Sequence, residues 1–321
     1  VLFRSYKQYK GQEANRYMFT RMQKLLWHQE SIGFILWPMM RDGKLPISAM
    51  GDDGQVFRTH LPTHAADYFK QLYAQITNPP IDYIREPESF SFKGFVGPNP
   101  ALWTYFDENG VAQFKEGAPK FYEYKDPFLM DDQIAAIKKD LPCRIIDITF
   151  DIDSKDINNS VANYKAAMDR VLKEAEEAAK AGQNIIISDR GISAQRQALS
   201  DLEVVAAIDK HLVKAGCRAS TSIVVESGQI KDAHHAASLI CHGATAVNSY
   251  MIHELVEYLH KTQPAGIKAM TREKMLESFH KATLQTYGKL IAKMGYTTHL
   301  TYSGSRMMES HGLHAATFGD T

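Results

Sequence analysis

Cysteine is scarce: Cys143, Cys217 and Cys241 are the only three in 321 residues. No two are close enough for a CxxC metal or redox pair, and an odd count cannot pair off completely, which fits buried thiols in a reducing, cytoplasmic compartment. Net charge is missing as well. Lys+Arg and Asp+Glu both number 37, so nothing in the balance draws the chain to nucleic acid or to a membrane surface. Long apolar runs are absent: residues 32–40 form the longest candidate, interrupted by Pro38, against the roughly 18 residues a membrane span needs. Residues 1–12 are polar and basic, without the apolar core of a signal peptide. The chain opens on Val1, and the expectation is that its true start lies upstream. Histidines are scattered, and His234-His235 is the adjacent pair. Neighbours on a helix point about 100° apart, a poor joint metal site, so one is expected to face the core or an interface and the other solvent.

What the chain does have is an ordinary globular balance, 44% hydrophobic and 23% charged, and one stretch of strong patterning at residues 184–249. Asn184 to Ser188 is a short β-branched run that stops at Asp189-Arg190-Gly191. Leu199, Leu202, Val205, Ala206, Ile208, Leu212 and Val213 then recur at helical spacing up to Gly216. Residues 221–225 form a second strand pattern, ending at Glu226-Ser227-Gly228. A helix over 233–240 and a third strand over 245–247 follow. Such alternation implies parallel pairing with right-handed crossovers, and ligands in such folds gather at the carboxyl ends of strands. Asp189, Arg190, Glu226 and Ser227 stand at those ends. They form either an active site or a charge network that fixes loops and interfaces, since ion networks also gather there.

Around this centre, periodicity predicts an N-terminal helical pair over 16–27 and 29–40, an amphipathic helix over 64–76, a strand over 144–150 and a long helix over 158–181. Further helices are expected over 251–261 and from Thr271 to Met294, then an extended piece over 296–301 and a ragged tail. Residues 46–50 read as extended, and Gly51-Asp52-Asp53-Gly54 as a solvated turn without regular calcium-loop spacing. Residues 87–130 are aromatic and loop-rich, with a hairpin signal at Asn109-Gly110; no basic groove accompanies them, so packing over the core is favoured over base stacking. In Thr77-Asn78-Pro79-Pro80-Ile81-Asp82-Tyr83-Ile84-Arg85-Glu86 two prolines forbid helix and central strand. That makes a stiff connector, either a hinge or a wall.

The run from Tyr68 through Glu86 resembles the signature of the central domain of glutamate synthase, the large or ferredoxin-type subunit. The family carries a third proline where Tyr83 stands. Pro38-Met39-Met40-Arg41-Asp42-Gly43-Lys44 and Ser48-Ala49-Met50-Gly51-Asp52-Asp53 resemble the same family's preceding run. Ser188-Asp189-Arg190-Gly191, Val225-Glu226-Ser227-Gly228, His234-His235, Gly243-Ala244-Thr245-Ala246-Val247-Asn248, Lys293-Met294-Gly295 and residues 303–313 continue the likeness in order, from about 17 to 313. Departures occur at Ile208-Asp209-Lys210-His211, where the family is histidine-rich, at Asn248-Ser249-Tyr250, where it has Asn-Pro-Tyr, and at Ser303-Gly304-Ser305-Arg306.

The resemblance implies an α/β fold, a rudimentary TIM-barrel-like parallel βα domain with the N-terminal helical pair and the aromatic insertion, over residues 15–270, and a helical link into an FMN domain over 271–321. It implies a connecting segment, not itself catalytic, between the glutamine amidotransferase and FMN domains of an enzyme that makes two glutamates from glutamine, 2-oxoglutarate and a reductant. Neither a catalytic, a cofactor-binding nor a metal residue is expected within the segment. FMN and an iron–sulfur cluster are implied for the full-length enzyme, with ferredoxin or a small reductase subunit as electron donor. Thr77, Asn78, Pro79, Pro80, Ile81 and Arg85 are expected at the domain contact or along an ammonia path. The alternative is a self-standing α/β enzyme using Asp189, Arg190 and Glu226.

Overall fold

A four-stranded parallel sheet forms where the alternation predicts it. The computed structural model describes residues 13–27, 31–46, 63–73, 81–98, 105–106, 109, 112–113, 120–262 and 270–313. In chain order these make α1 (Glu13–Lys24), a π-helical turn (Ser31–Leu36), α2 (Trp37–Asp42), a 3-10 turn (Ala65–Tyr68), β1 (Phe69–Gln71), β2 (Gly94–Val96), β3 (Tyr105–Phe106), β4 (Ala112–Gln113) and β5 (Tyr122–Tyr124). Next come α3 (Asp131–Asp140), β6 (Cys143–Asp147), β7 (Thr149–Asp151), α4 (Ile157–Lys180), β8 (Asn184–Ser188), β9 (Arg196–Ala198), α5 (Asp201–Lys214), β10 (Ile223–Glu226), α6 (Ala233–Cys241) and β11 (Ala246–Asn248). The chain finishes with α7 (Tyr250–Thr262), α8 (Arg272–Lys293), α9 (His299–Tyr302) and β12 (Met308–Ser310).

The main sheet runs β11-β10-β8-β6. Its strands lie side by side in sequence order, without the reversal that marks a doubly wound sheet. This is the winding of a (β/α)8 barrel, carried through four strands and left open. Period-two alternation divides the side chains between two faces. Ile146, Ile185, Ile187, Ile223, Val225 and Val247 share one core with Val171 of α4, Val205 and Ile208 of α5 and Ala236 and Ile240 of α6. Ile186, Val224 and Ala246 face the other way, into what would be the barrel lumen. There they meet Ile134 and Ile137 of α3 together with Val96, Tyr124 and Leu129. Helix α3 and the aromatic excursion thus fill the lumen, and each fully buried Ile or Val contributes about 1.5–3 kcal/mol. The aromatic excursion packs over the core as its composition suggests: Tyr83, Phe90, Phe92, Phe128 and Tyr287 contact one another edge-on or tilted. Strands β3 and β4 pair antiparallel about Asn109.

Several local expectations are corrected. Residues 64–71 are not a helix. His64 Nδ1 accepts the Ala66 N–H, Asp67 accepts the His64 N–H, and the turn closes after Tyr68. Phe69 to Gln71 then pair antiparallel with Met308 to Ser310, so the expected tail is a strand; partners so far apart leave no local signal. The expected strand over 144–150 is two strands in different sheets, β6 in the parallel sheet and β7 paired with β9. The expected second helix is a π-helical turn followed by α2, with the first residues of α2 holding Pro38, which has no N–H to give to a continuous ladder. Residues 299–302 are helical, not extended. His234 and His235 are both buried, at 3% and 2% exposure. The readings of residues 47–54 and of Thr77, Asn78, Pro79 and Pro80 lie outside the described residues.

Candidate functional site

Parallel register puts Asp147, Ser188, Glu226 and Asn248 in one row at the carboxyl end of the sheet, on the lumen face. The row is occupied by protein. Glu226, 3% exposed, accepts Lys138 Nζ of α3 at 3.0 and 3.1 Å and Arg190 Nε at 2.9 Å. Asn248 Nδ2 donates to the Leu129 carbonyl at 2.8 Å and to Asp131 Oδ1 at 3.1 Å. Arg190 reaches Glu254 of α7 at 3.4 Å, and its guanidinium lies 4.0 Å from the Tyr250 ring centre. Burial alone would raise the Glu226 carboxyl; Arg190 and Lys138 outweigh it and hold the group below its usual range.

Helix α1 crosses the same end of the sheet. Its C-terminus turns on Leu26, which has a positive φ of 58°, and its last carbonyls are taken by the strand-end loops. Gln197 Nε2 donates to the Lys24 carbonyl at 2.7 Å, Lys231 Nζ donates to the Leu26 carbonyl, and the Trp27 indole donates to the Gly228 carbonyl at 2.7 Å. Arg21 pairs with Glu254 at 3.0 Å. A β-carbon at Gly228 would stand 2.7 Å from Leu25 Cδ1 and 2.8 Å from the Tyr250 oxygen, so any larger residue would have to push Leu25 and Tyr250 aside. The mouth in which a barrel enzyme keeps its substrate is filled from inside by α3 and from above by α1.

Behind this mouth runs a buried polar array. Asp189 is not paired with the neighbouring Arg190, whose guanidinium goes to Glu226. Its carboxyl stands 2.9 Å from Ser227 Oγ and accepts the Gly228 N–H at 3.0 Å and a Gln229 Nε2–H at 3.3 Å. Ser227 Oγ also stands 2.8 Å from Asp201 Oδ2. Asp201 Oδ1 meets His64 Nε2 at 3.1 Å. Because His64 Nδ1 accepts the Ala66 N–H, its one proton is on Nε2 and donates to Asp201. The His64 ring stacks on His235 at 4.2 Å. His235 turns one nitrogen to Asp67 at 2.9 Å and the other to the Gln229 carbonyl at 3.4 Å, an arrangement that suits the imidazolium. Burial works against that charge, but Asp232 and Asp67 overcome it and lift the group to about 9.

The structure thus brings together the expected Asp189, Arg190, Glu226 and Ser227, and divides them between an outer ion network and this inner array. Ile81 is half-buried, while Arg85 is exposed and pairs with Asp82 at 3.6 Å. Sequence reasoning missed His64, Asp67 and Asp201. Their only signal is placement beside the ends of elements, and His64 caps a 3-10 turn where the sequence pattern suggests an α-helix.

A flavin phosphate does not fit the helix starts at these strand ends. Asp201 occupies the first turn of α5, where it accepts the Leu202 N–H, and Asp232 accepts the His235 N–H at the start of α6. These two N-termini, each able to bind an anion, already hold a carboxylate. Among the described residues no group of three His, Cys, Asp or Glu is placed to hold a metal, and no helix is long and apolar enough to cross a membrane.

Comparison with known proteins matches residues 20–314 to the family described as the glutamate synthase central domain. Glutamate synthase [NADH] of Schizosaccharomyces pombe is 30% identical over 292 residues, 88% of this chain and 13% of that protein. The glutamate synthase [NADPH] large chain of Bacillus subtilis is 29% identical, covering 92% of this chain and 18% of its own length. Ferredoxin-dependent glutamate synthase 2 of Synechocystis is 28% identical, covering 94% and 20%. The chain therefore spans a fifth or less of the curated relatives it matches. A solved flavocytochrome b2 structure overlaps 60% of the chain and 42% of its own at 15% identity, with a TM-score of 0.37, too slight a likeness to argue from.

Proposed function

The chain belongs to the family of glutamate synthase central domains, and from that premise we propose that it is the connecting domain of a glutamate synthase. It lies between a glutamine amidotransferase domain and an FMN domain of one polypeptide, in the cytoplasm. The whole enzyme would move amide nitrogen from glutamine to 2-oxoglutarate and reduce the product to glutamate. FMN and the iron–sulfur cluster would reside outside residues 1–321, with reductant from ferredoxin or from a nicotinamide-dependent partner subunit.

The observation that carries this reading is the filled mouth. The polar residues at the strand ends, which in an enzyme of this winding would face substrate, are spent on holding α1 and α3. The self-standing enzyme built on Asp189, Arg190 and Glu226 fares poorly by the same observation, since Asp189 is 0% and Glu226 3% exposed. In this proposal residues 15–270 are the domain proper. Residues 271–321 lead toward the FMN domain, with α8 packed on the shared core through Tyr287, Leu290 and Ile291 as it leaves.

The connector at Thr77, Asn78, Pro79, Pro80, Ile81 and Arg85 is proposed to touch the catalytic neighbours and to line the route of ammonia. Consecutive prolines offer no N–H to a ladder and fix the backbone angle, which would suit a stiff wall beside a passage for a small neutral molecule. The test is Asn78→Leu in the full-length reading frame, assayed with glutamine and 2-oxoglutarate. Glutamine hydrolysis should continue nearly unchanged while glutamate formed per glutamine falls. If both fall together or neither changes, the segment is a hinge. If the unmodified full-length protein makes no glutamate from these substrates, the assignment itself fails.

A further inference from the structure

Ser227 touches more partners than one hydroxyl proton can serve. Its Oγ accepts the Gln229 N–H at 3.0 Å and stands 2.9 Å from Asp189 Oδ2 and 2.8 Å from Asp201 Oδ2. A hydroxyl has one proton and two lone pairs. The Gln229 N–H takes one lone pair, and the proton goes to one carboxylate. The other carboxyl faces the remaining lone pair, and that contact is a hydrogen bond only if the carboxyl brings a proton of its own. With both groups ionised, one oxygen anion would sit against a lone pair where Asp189, Asp201 and Ser227 are all 0% exposed and water screens little.

We propose that Asp189 and Asp201 share a single proton across Ser227, carried by Asp189, and that its loss on raising the pH loosens the 227–231 loop and the end of α1 docked on it. The geometry chooses the carrier. Asp201 takes the His64 Nε2–H at 3.1 Å and the Leu202 N–H at 2.8 Å on one oxygen, and the His235 imidazolium stacked on that His64 ring at 4.2 Å is a positive neighbour that favours the ionised form. The donors at Asp189 are uncharged, the Gly228 N–H at 3.0 Å on Oδ1 and the longer Gln229 Nε2 contact at 3.3 Å on Oδ2, and Oδ2 can share its proton with Ser227 at 2.9 Å.

Charged and titratable groups face the pair from every side. Asp201 of α5 and Tyr250 of α7 lie beside Asp189. Arg190 and, from α1, Arg21 both stack over the Tyr250 ring, at 4.0 and 5.2 Å, with their charges drawn to Glu226 and Glu254. His64, His235 and Lys231 face Asp201, and Asp67 faces His64, His235 and Lys231. Burial first, and then Asp201, raise the Asp189 carboxyl to about 6 against the pull of the Tyr250 hydroxyl and the Gly228 N–H. A folded value raised above the usual 3.8 means stabilisation that is complete below that value and is lost as pH rises through about 6. The link to α1 is direct. An ionised Asp189 sets its charge against the Ser227 oxygen, which holds the Gln229 N–H of the same loop; in that loop the Gly228 carbonyl holds the Trp27 indole, and Lys231 holds the Leu26 carbonyl.

The test uses the 321-residue chain with Trp37→Phe and Trp103→Phe, leaving Trp27 as reporter, with and without Asp189→Asn. An infrared band of a protonated buried carboxyl should be present at mildly acidic pH, fade on raising the pH through neutral, and be missing in Asp189→Asn. Trp27 emission should shift to the red over the same pH range, and should stay fixed in Asp189→Asn, whose amide donates to Ser227 and accepts from Gly228 at every pH. No pH-dependent carboxyl band in the protein with Asp189 intact overturns the proposal, even if the variant fails to fold. A Trp27 shift that persists in Asp189→Asn overturns it as well.

Discussion

The Tyr83 ring occupies the space of a missing side chain at Gly288: a β-carbon there would stand 2.6 Å from Tyr83 Cδ1 and Cγ. Glycine inside a helix costs about 0.5–1 kcal/mol relative to alanine, so its presence within α8 marks a close approach. The contact pins the connector, through Tyr83, to α8. Gly288→Ala should therefore destabilise the chain by roughly 1–3 kcal/mol, an overpacking cost that exceeds the helical gain. Adding Tyr83→Ala should recover part of the loss, a coupling measurable by urea denaturation of the two single variants and the double variant. A neutral Gly288→Ala would mean that Tyr83 moves aside freely.

Glu226 has two cations, and the loss of either is partly covered by the other. Arg190 is half-exposed, with 39% of its side chain accessible, so Arg190→Ala should cost only about 1–2 kcal/mol, below the range for a fully buried pair. Arg190→Ala with Lys138→Ala should cost more than the two added, because it strands a buried carboxylate. The depressed Glu226 carboxyl contributes stability present above its unfolded value of 4.5 and lost as pH falls through the lower folded one. The excess penalty of the double variant should therefore shrink in acid. Melting temperatures at neutral and acidic pH decide this.

The parallel sheet was legible because its strands are short β-branched runs closed by polar residues, and because the helices between them keep strict spacing. Asp189, Arg190, Glu226 and Ser227 could be picked out for the same reason. What could not be read was non-local. His64, Phe69 and Gln71 sit in a segment whose apolar spacing suits a helix, yet pairing with Met308 to Ser310 makes part of it a strand. The burial of both His234 and His235 depends on Gln71 and Asp67 arriving from that same segment, at 2.6 and 2.9 Å. Read as a helix, the segment gives no sign of the polar partners it brings to His234 and His235.

The His235–Asp67 pair gives stability a dependence on alkaline pH. His235 is raised to about 9, burial being outweighed by Asp232 and Asp67. A raised folded value means stabilisation that is complete below the usual 6.5 and is lost as pH rises through about 9. Asp67 is depressed, with burial outweighed by His235, so its contribution is present above 3.8 and is lost in acid. His235→Gln should lower the melting temperature at neutral pH and flatten its fall between roughly pH 7 and 10. A variant that keeps the slope of the unmodified chain would assign the alkaline loss to another group.

Flavin should not accompany this chain. A flavin phosphate is bound by free N–H groups at a helix start and by the positive end of the helix dipole. At the start of α6, Asp232 already accepts the His235 N–H at 2.9 Å, and in the first turn of α5 Asp201 accepts the Leu202 N–H and the His64 proton. An incoming phosphate would meet these carboxylates and would have to displace α1, whose Trp27 and Leu26 are tied to the loop between them. The purified 321-residue chain is expected to be colourless, and titration with FMN should leave the flavin fluorescence unquenched. Stoichiometric yellow colour, or saturable quenching by the unmodified chain, would show that a phosphate finds a place the strand-end carboxylates do not hold, and would overturn the filled-mouth account of the domain.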